Sequence, residues 1–193
     1  MPELERTSED LLVDLDRARS DFHRLLTLVG PDEWDEKTRG TRWTNEQLLF
    51  HMVFGYMVVQ RLLVLVRLFG RLPRPAGRAF ARMLNAATRP FDTVNFHGTN
   101  AAARFFNRKR MGHKLNRVLD ALQRSLSHEN AKSLHRGMHF PARWDPYFSD
   151  YMTLADVYAF PGKHYDHHRR QLSLAKLGEP NEGTLGPPTQ PRT

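Results

Sequence analysis

Ten histidines and no cysteine stand among the 193 residues of this chain. Any metal it holds must therefore be bound by imidazole, carboxylate or water, and neither a disulfide framework nor a cysteine nucleophile is available. In His164-Tyr165-Asp166-His167-His168 the outer pair is four residues apart. On a helix both imidazoles then project from one face, a turn apart, and can reach one ion. Gln171 follows three residues later on the same side. His51 lies in the apolar run Leu48-Leu49-Phe50-His51-Met52-Val53-Phe54. A buried imidazole needs partners for its ring nitrogens, and a metal plus one further acceptor supplies them. A hydrogen-bonded core histidine is the alternative at that position, and among ten histidines some pair at helical spacing is expected by chance.

Other residues around these three carry weaker signals. His167 either replaces His164 or His168 as a ligand, acts as an acid or base beside the metal, or faces solvent. Gln171 is suited to orienting a ligand or a water, and Asp166 and Asp156 are the nearby carboxylates that could accept a ligand's second N–H. Trp43, Tyr56 and Gln60 are candidate pocket walls, with core packing the alternative for Trp43 and Tyr56. The segment Phe140-Pro141-Ala142-Arg143-Trp144-Asp145-Pro146-Tyr147-Phe148 is aromatic enough to require burial, as a lid or as a packing element. Arg143, if turned inward, would suit a carboxylate-bearing electrophile. The catalytic candidates are thus His167, Gln171 and Arg143. His97, His128, His135 and His139 lie in or near connections and are expected at the surface; His23 and His113 are expected on exposed helical positions.

The elements that must position these residues read as helices. Thr7 with Asp10 marks the start of a first helix carrying Leu11, Leu15, Ala18, Phe22, Leu25, Leu26 and Val29, which stops at Gly30-Pro31. Thr44 with Gln47 opens a second, predicted to end by Gly70. A short extra helix is predicted over 76–88, ended by Pro90. A third main helix is predicted from Asn100 to Ser127 on the stripe Leu115, Val118, Leu119, Leu122 and Leu126. Residues 128–152 are irregular. Thr153 with Asp156 opens a fourth main helix, predicted to reach about Leu177 with Pro161-Gly162 as a kink or interruption. No segment alternates for long enough to argue a strand, so the prediction is all-α, a helical bundle. The Pro/Gly-rich tail 178–193 is predicted to be disordered.

The formal charge of +8 comes from 23 arginines and 6 lysines, scattered and interleaved with acids. No run of like charge marks a nucleic-acid surface, so a basic nucleic-acid-binding module stands only as a competing reading. The run from Leu48 to Phe69 is broken by His51, Gln60, Arg61 and Arg67, which favours a buried helix over a membrane span. Met1 to Asp10 is polar and acidic, unlike a secretory signal, and a cytoplasmic location is expected.

Taken together, Trp43-Thr44 opening an apolar helix, His51 seven residues after Thr44, and a last helix running from Thr153-Leu-Ala-Asp to His164-x-x-x-His168-x-x-Gln171 resemble the DinB-like superfamily, with its YfiT-like and thiol S-transferase branches. The resemblance covers about residues 8 to 177. It implies a four-helix bundle domain over 1–177, to which this chain adds one long helical insertion and an irregular segment before the last helix. It also implies a divalent metal, commonly Zn or Ni, held by one histidine from the second helix and two from the last. Residue by residue those are His51, His164 and His168. Three neutral imidazoles leave a coordination position open, as in catalytic rather than structural sites. The family's S-transferases use mycothiol or bacillithiol. In a cysteine-free, arginine-rich chain, mycothiol as a small-molecule cosubstrate is the expected sulfur source. The resemblance further implies a small-molecule substrate and a homodimer. A hydrolase, and a metal-free binding or structural bundle, are the other readings. Pro161-Gly162 just before His164, and the long segment Arg71 to Asn95, depart from the family pattern.

Overall fold

The computed structural model describes residues 6–71 and 73–177; the tail 178–193 lies outside the described residues. Three helices begin where their capping signals stand. Helix α1 (Ser8–Leu28) follows Thr7, α2 (Asn45–Phe69) follows Thr44, and α7 (Leu154–Arg169) follows Thr153. In each case the threonine hydroxyl accepts the N–H three residues on, and the side chain of Asp10, Gln47 or Asp156 accepts the threonine's own N–H. Each such cap is worth about 1 kcal/mol. The remaining helices are α3 (Arg74–Ala86), α4 (Thr88–Phe105), α5 (Met111–Ser127) and the single turn α6 (Ala131–Leu134).

The core is a ring of four helices in which α1 packs on α5 and α7, and α2 packs on the same two. Leu11, Leu15, Ala18, Phe22 and Leu25 form the buried stripe of α1, and Leu115, Val118, Leu119, Leu122 and Leu126 that of α5. Helix α2 is long and apolar enough to cross a membrane by composition. Its side chains from Leu48 to Val53 are instead all buried in the bundle, because α4, α5 and α7 surround it. Gly112 has a packing reason: a Cβ there would meet His23 and Leu26 of α1 at 3.1 Å.

Four expectations are corrected. Pro90 does not end a helix; it sits in the first turn of α4, where a missing N–H costs nothing. The helix predicted from Asn100 to Ser127 is two helices, α4 and α5, with the chain turning between Phe105 and Met111. The helical insertion is correspondingly larger, spanning α3 and α4. The segment before the last helix contains a two-stranded antiparallel hairpin, β1 (Gly137–His139) with β2 (Tyr151–Thr153), Met138 facing Met152. Strands of three residues are too short to show alternation. Finally, α7 runs without a break through Pro161 and Gly162, both buried, and stops at Arg169; Ala175–Leu177 is a separate 3₁₀ turn.

A buried polar residue fastens the chain after α7 to the start of α2. Asn45 is fully buried; its amide donates to the carbonyls of Glu33 (2.8 Å) and Ser173 (3.1 Å), and its Oδ1 accepts the N–H of Ser173 (3.0 Å). Nearby, the N–H of Arg39 donates to the carbonyl of Gln171 at 2.8 Å. Asn45→Leu leaves these backbone groups unpaired in the core. It is expected to cost about 2–3 kcal/mol, read as a lower urea midpoint with an unchanged m value.

Candidate metal centre

His51 lies in the second turn of α2, and His164 and His168 lie one turn apart near the end of α7. The packing of α2 on α7 brings the three rings together. Their centroids are 5.1 Å (His51 and His164), 4.7 Å (His51 and His168) and 4.4 Å (His164 and His168) apart. One ligand atom from each lies within 4.8 Å of the others, a group that could hold a metal ion. His51 and His164 are only 5% and 7% exposed.

The approach depends on Gly55, one turn beyond His51 on α2. A Cβ at that position would meet His164 Nδ1 at 2.8 Å and Cε1 at 3.1 Å. Glycine in a helix interior costs about 1 kcal/mol relative to alanine. Here its absent side chain is the space into which the imidazole fits.

Burial sets the protonation states. It pushes His51 down to about 3 and His168 to about 4, and holds His164 well below the usual imidazole range. All three are neutral at pH 7 and offer lone pairs. His168 Nδ1 donates to Gln171 Oε1 at 2.7 Å, which leaves its Nε2 unprotonated and aimed at His164 Nε2, 3.2 Å away. Gln171 is itself set by His167: its amide donates to His167 Nε2 at 3.3 Å, and His167 Nδ1 donates to the Tyr147 hydroxyl at 3.2 Å. His164 Nδ1 is buried without a hydrogen-bond partner. Two neutral imidazoles, His164 buried and His168 half-buried, with their Nε2 atoms face to face, fit a divalent cation between them, with His51 as the third donor.

The centre forms one wall of a cavity of about 220 Å³ lined by Trp43, Phe54, Val58, Trp144, Phe148 and Phe160, with Asp145. Trp43 stacks on His51 at 4.3 Å, and Phe96 of α4 stacks on Trp43 at 6.0 Å. The aromatic segment both packs and covers: Phe140 is in the core, while Phe148 lies between it and Phe160, at 5.4 and 4.6 Å.

Asp145 is the residue that the sequence reading missed. Its carboxylate is 16% exposed and its Oδ2 lies 3.8 Å from His164 Nε2. Burial raises it to about 6. The available signal was an acid inside an aromatic run. Several expected residues stand elsewhere. Arg143 is exposed and does not line the cavity. Tyr56 is in the core beside Tyr165, and Gln60 reaches the carbonyl of Val118. Asp156 caps α7, and Asp166 pairs with Arg17 at 2.9 Å, so neither carboxylate orients a ligand. His139 is buried rather than at the surface, between Arg78 Nε (3.2 Å) and Asp150 Oδ2 (3.0 Å). His23 is half-buried and bonded to Asn116, whereas His97, His113, His128 and His135 are exposed as expected.

Two outcomes follow from this geometry. Gly55→Ala gains helix propensity yet displaces His164; divalent-metal affinity is expected to fall about tenfold or more with helical circular dichroism retained, as a metal titration of both proteins checks. For the metal-free protein, the folded-state values lie below the unfolded 6.5. Below that pH the unfolded chain takes up protons that the folded one refuses. The histidine contribution to stability is therefore level above 6.5 and falls as pH drops towards about 5, each of these histidines contributing up to about 1.4 kcal/mol per pH unit, while Asp145, raised by burial, offsets part of the fall over the same window. Urea midpoints across that window test it, and His168→Gln flattens the fall.

Among known proteins, no curated protein and no solved structure matches the chain. The family model for the DinB superfamily matches residues 14–172, from the first turns of α1 to just past Gln171, and so takes in all three histidines. A match over most of the chain, on a bundle whose second and last helices bring these histidines together, makes the protein a member of the DinB superfamily.

Proposed function

We propose that this chain, as a single bundle domain over residues 1–177, is a cytoplasmic metal-dependent thiol S-transferase or hydrolase acting on a small-molecule substrate. Zn or Ni is the metal and mycothiol the expected cosubstrate. The observation that carries the reading is the convergence of three neutral imidazoles, two buried and one half-buried, on the wall of a cavity, with no fourth histidine closing the set among the described residues. His51, His164 and His168 would hold the ion, which when bound would supply Lewis acidity that lowers the pKa of a water or thiol beside it. The chain's own residues do the rest. Gln171 holds His168 in the tautomer that presents Nε2. The aromatic walls limit the access of bulk water, and Asp145 is the carboxylate placed to accept a hydrogen from the nucleophile.

Several surface features support the wider reading. Several arginines are drawn into ion pairs with acids along the bundle, such as Arg17 with Asp166, Arg19 with Asp120 and Arg169 with Asp21, which leaves those side chains less suited to phosphate contacts. Val64 and Leu68, exposed on α2, offer apolar surface for a homodimer.

Elemental analysis of tag-free protein incubated with Zn or Ni is expected to show about one equivalent, lost in His51→Ala. Less than about a tenth of an equivalent in the wild type overturns the metal reading in favour of a metal-free bundle. Turnover with mycothiol or bacillithiol against a panel of electrophiles supports the transferase; silence across the panel favours a non-transferase role.

A further inference from the structure

Asp145 is brought to the centre by contacts remote from it in sequence. On its flanks, the Trp144 indole N–H donates to the carbonyl of Leu84 at 2.9 Å and the Arg143 N–H donates to Asn85 Oδ1 at 3.2 Å, both at the end of α3. Phe148 is wedged between Phe140 and Phe160. The carboxylate itself is oriented: Oδ1 accepts the N–H of Tyr147 at 2.8 Å, which turns Oδ2 towards His164. Among the described residues no lysine or arginine pairs with it, and none lines the cavity. Asp145 also stands outside the cluster of mutually close histidine ligand atoms. It therefore sits beside the three-histidine group rather than within it.

We propose that Asp145 is a selector for the open position of the metal centre: its Oδ2 accepts a hydrogen bond from a ligand that presents a hydrogen, such as a water, an alcohol or a thiol, and disfavours small anions that present none. This rests on the metal-binding reading above. The physical basis is simple. In a cavity walled by Trp43, Phe54, Val58, Trp144, Phe148 and Phe160, an anion finds no cationic side chain among the described residues, and it meets a fixed negative charge at short range in a medium that screens poorly. A neutral protic ligand meets an acceptor instead.

The test uses the full chain loaded with Co(II), whose visible spectrum reports the open position. A Co(II) titration comes first, and a protein that binds none has failed the metal reading itself. Azide and imidazole are then titrated into wild type and Asp145→Asn at one fixed pH of about 8, where azide is an anion, imidazole is neutral and the carboxylate is ionised. Azide is expected to bind about tenfold or more tightly to the variant, with affinities for Co(II) and for neutral imidazole unchanged within about a factor of three. Equal azide affinity in the two proteins overturns the proposal. A Co(II) affinity reduced about tenfold or more also overturns it and makes Asp145 a ligand. A parallel gain for imidazole overturns it in favour of a steric gate. Should Asp145→Asn fail to fold, Asp145→Ser keeps an acceptor for the Tyr147 N–H and carries the same expectation.

Discussion

The close approach of α2 and α7 at Gly55 is the constraint on which the rest of the site depends. A glycine there lets the His164 ring lie against the α2 backbone. With that approach made, His51 on one helix and His164 and His168 on the other become neighbours. The same packing buries His51 and His164 and half-buries His168, and desolvation keeps all three neutral at the pH where they would serve as ligands. One steric allowance thus sets both the geometry and the charge state of the group.

Around this contact the molecule builds an ordered set of supports. Asn45 fixes the start of α2 to the chain beyond α7, close to where Gln171 must stand to hold His168. The helical insertion acts on two sides. From α4, Phe96 stacks on Trp43 and so backs His51; from α3, Leu84 and Asn85 hold the segment that carries Asp145. The long connection between the second and third bundle helices is therefore part of the cavity's architecture. The irregular segment is tied down by the hairpin of β1 and β2 at its two ends.

The site is electrostatically lopsided. Three neutral imidazoles and one partly buried carboxylate face a mainly aromatic cavity, while the chain's many arginines lie along the outside, several in ion pairs with the acids of neighbouring helices. Net charge says little about what enters such a cavity. What matters is the single carboxylate and the absence of a cationic side chain among the described lining residues. The expectation that Arg143 would receive a carboxylate electrophile has no support in this arrangement, since that side chain is exposed.

The sequence by itself determined what backbone periodicity and capping can encode. Thr7, Thr44 and Thr153 with their partners three residues on mark three helix starts, because a cap is a local hydrogen-bond pattern. The spacing of His164 and His168 fixes a common face for the same reason. His51, on a different helix, stood out as an imidazole in an apolar run, and the family pattern joined it to that pair. Tertiary structure decided the rest. That Gly55 makes room for His164, that Asn45 pairs with Ser173, that Leu84 holds Trp144 and that Asp145 turns towards the histidines are contacts between residues far apart in the chain. The split of the expected third helix and the three-residue strands escaped for a related reason: the turn between Phe105 and Met111 and the pairing of Met138 with Met152 are set by neighbours in space. A linear pattern records which face a side chain takes on its own element, but which surface comes to meet that face is decided by packing.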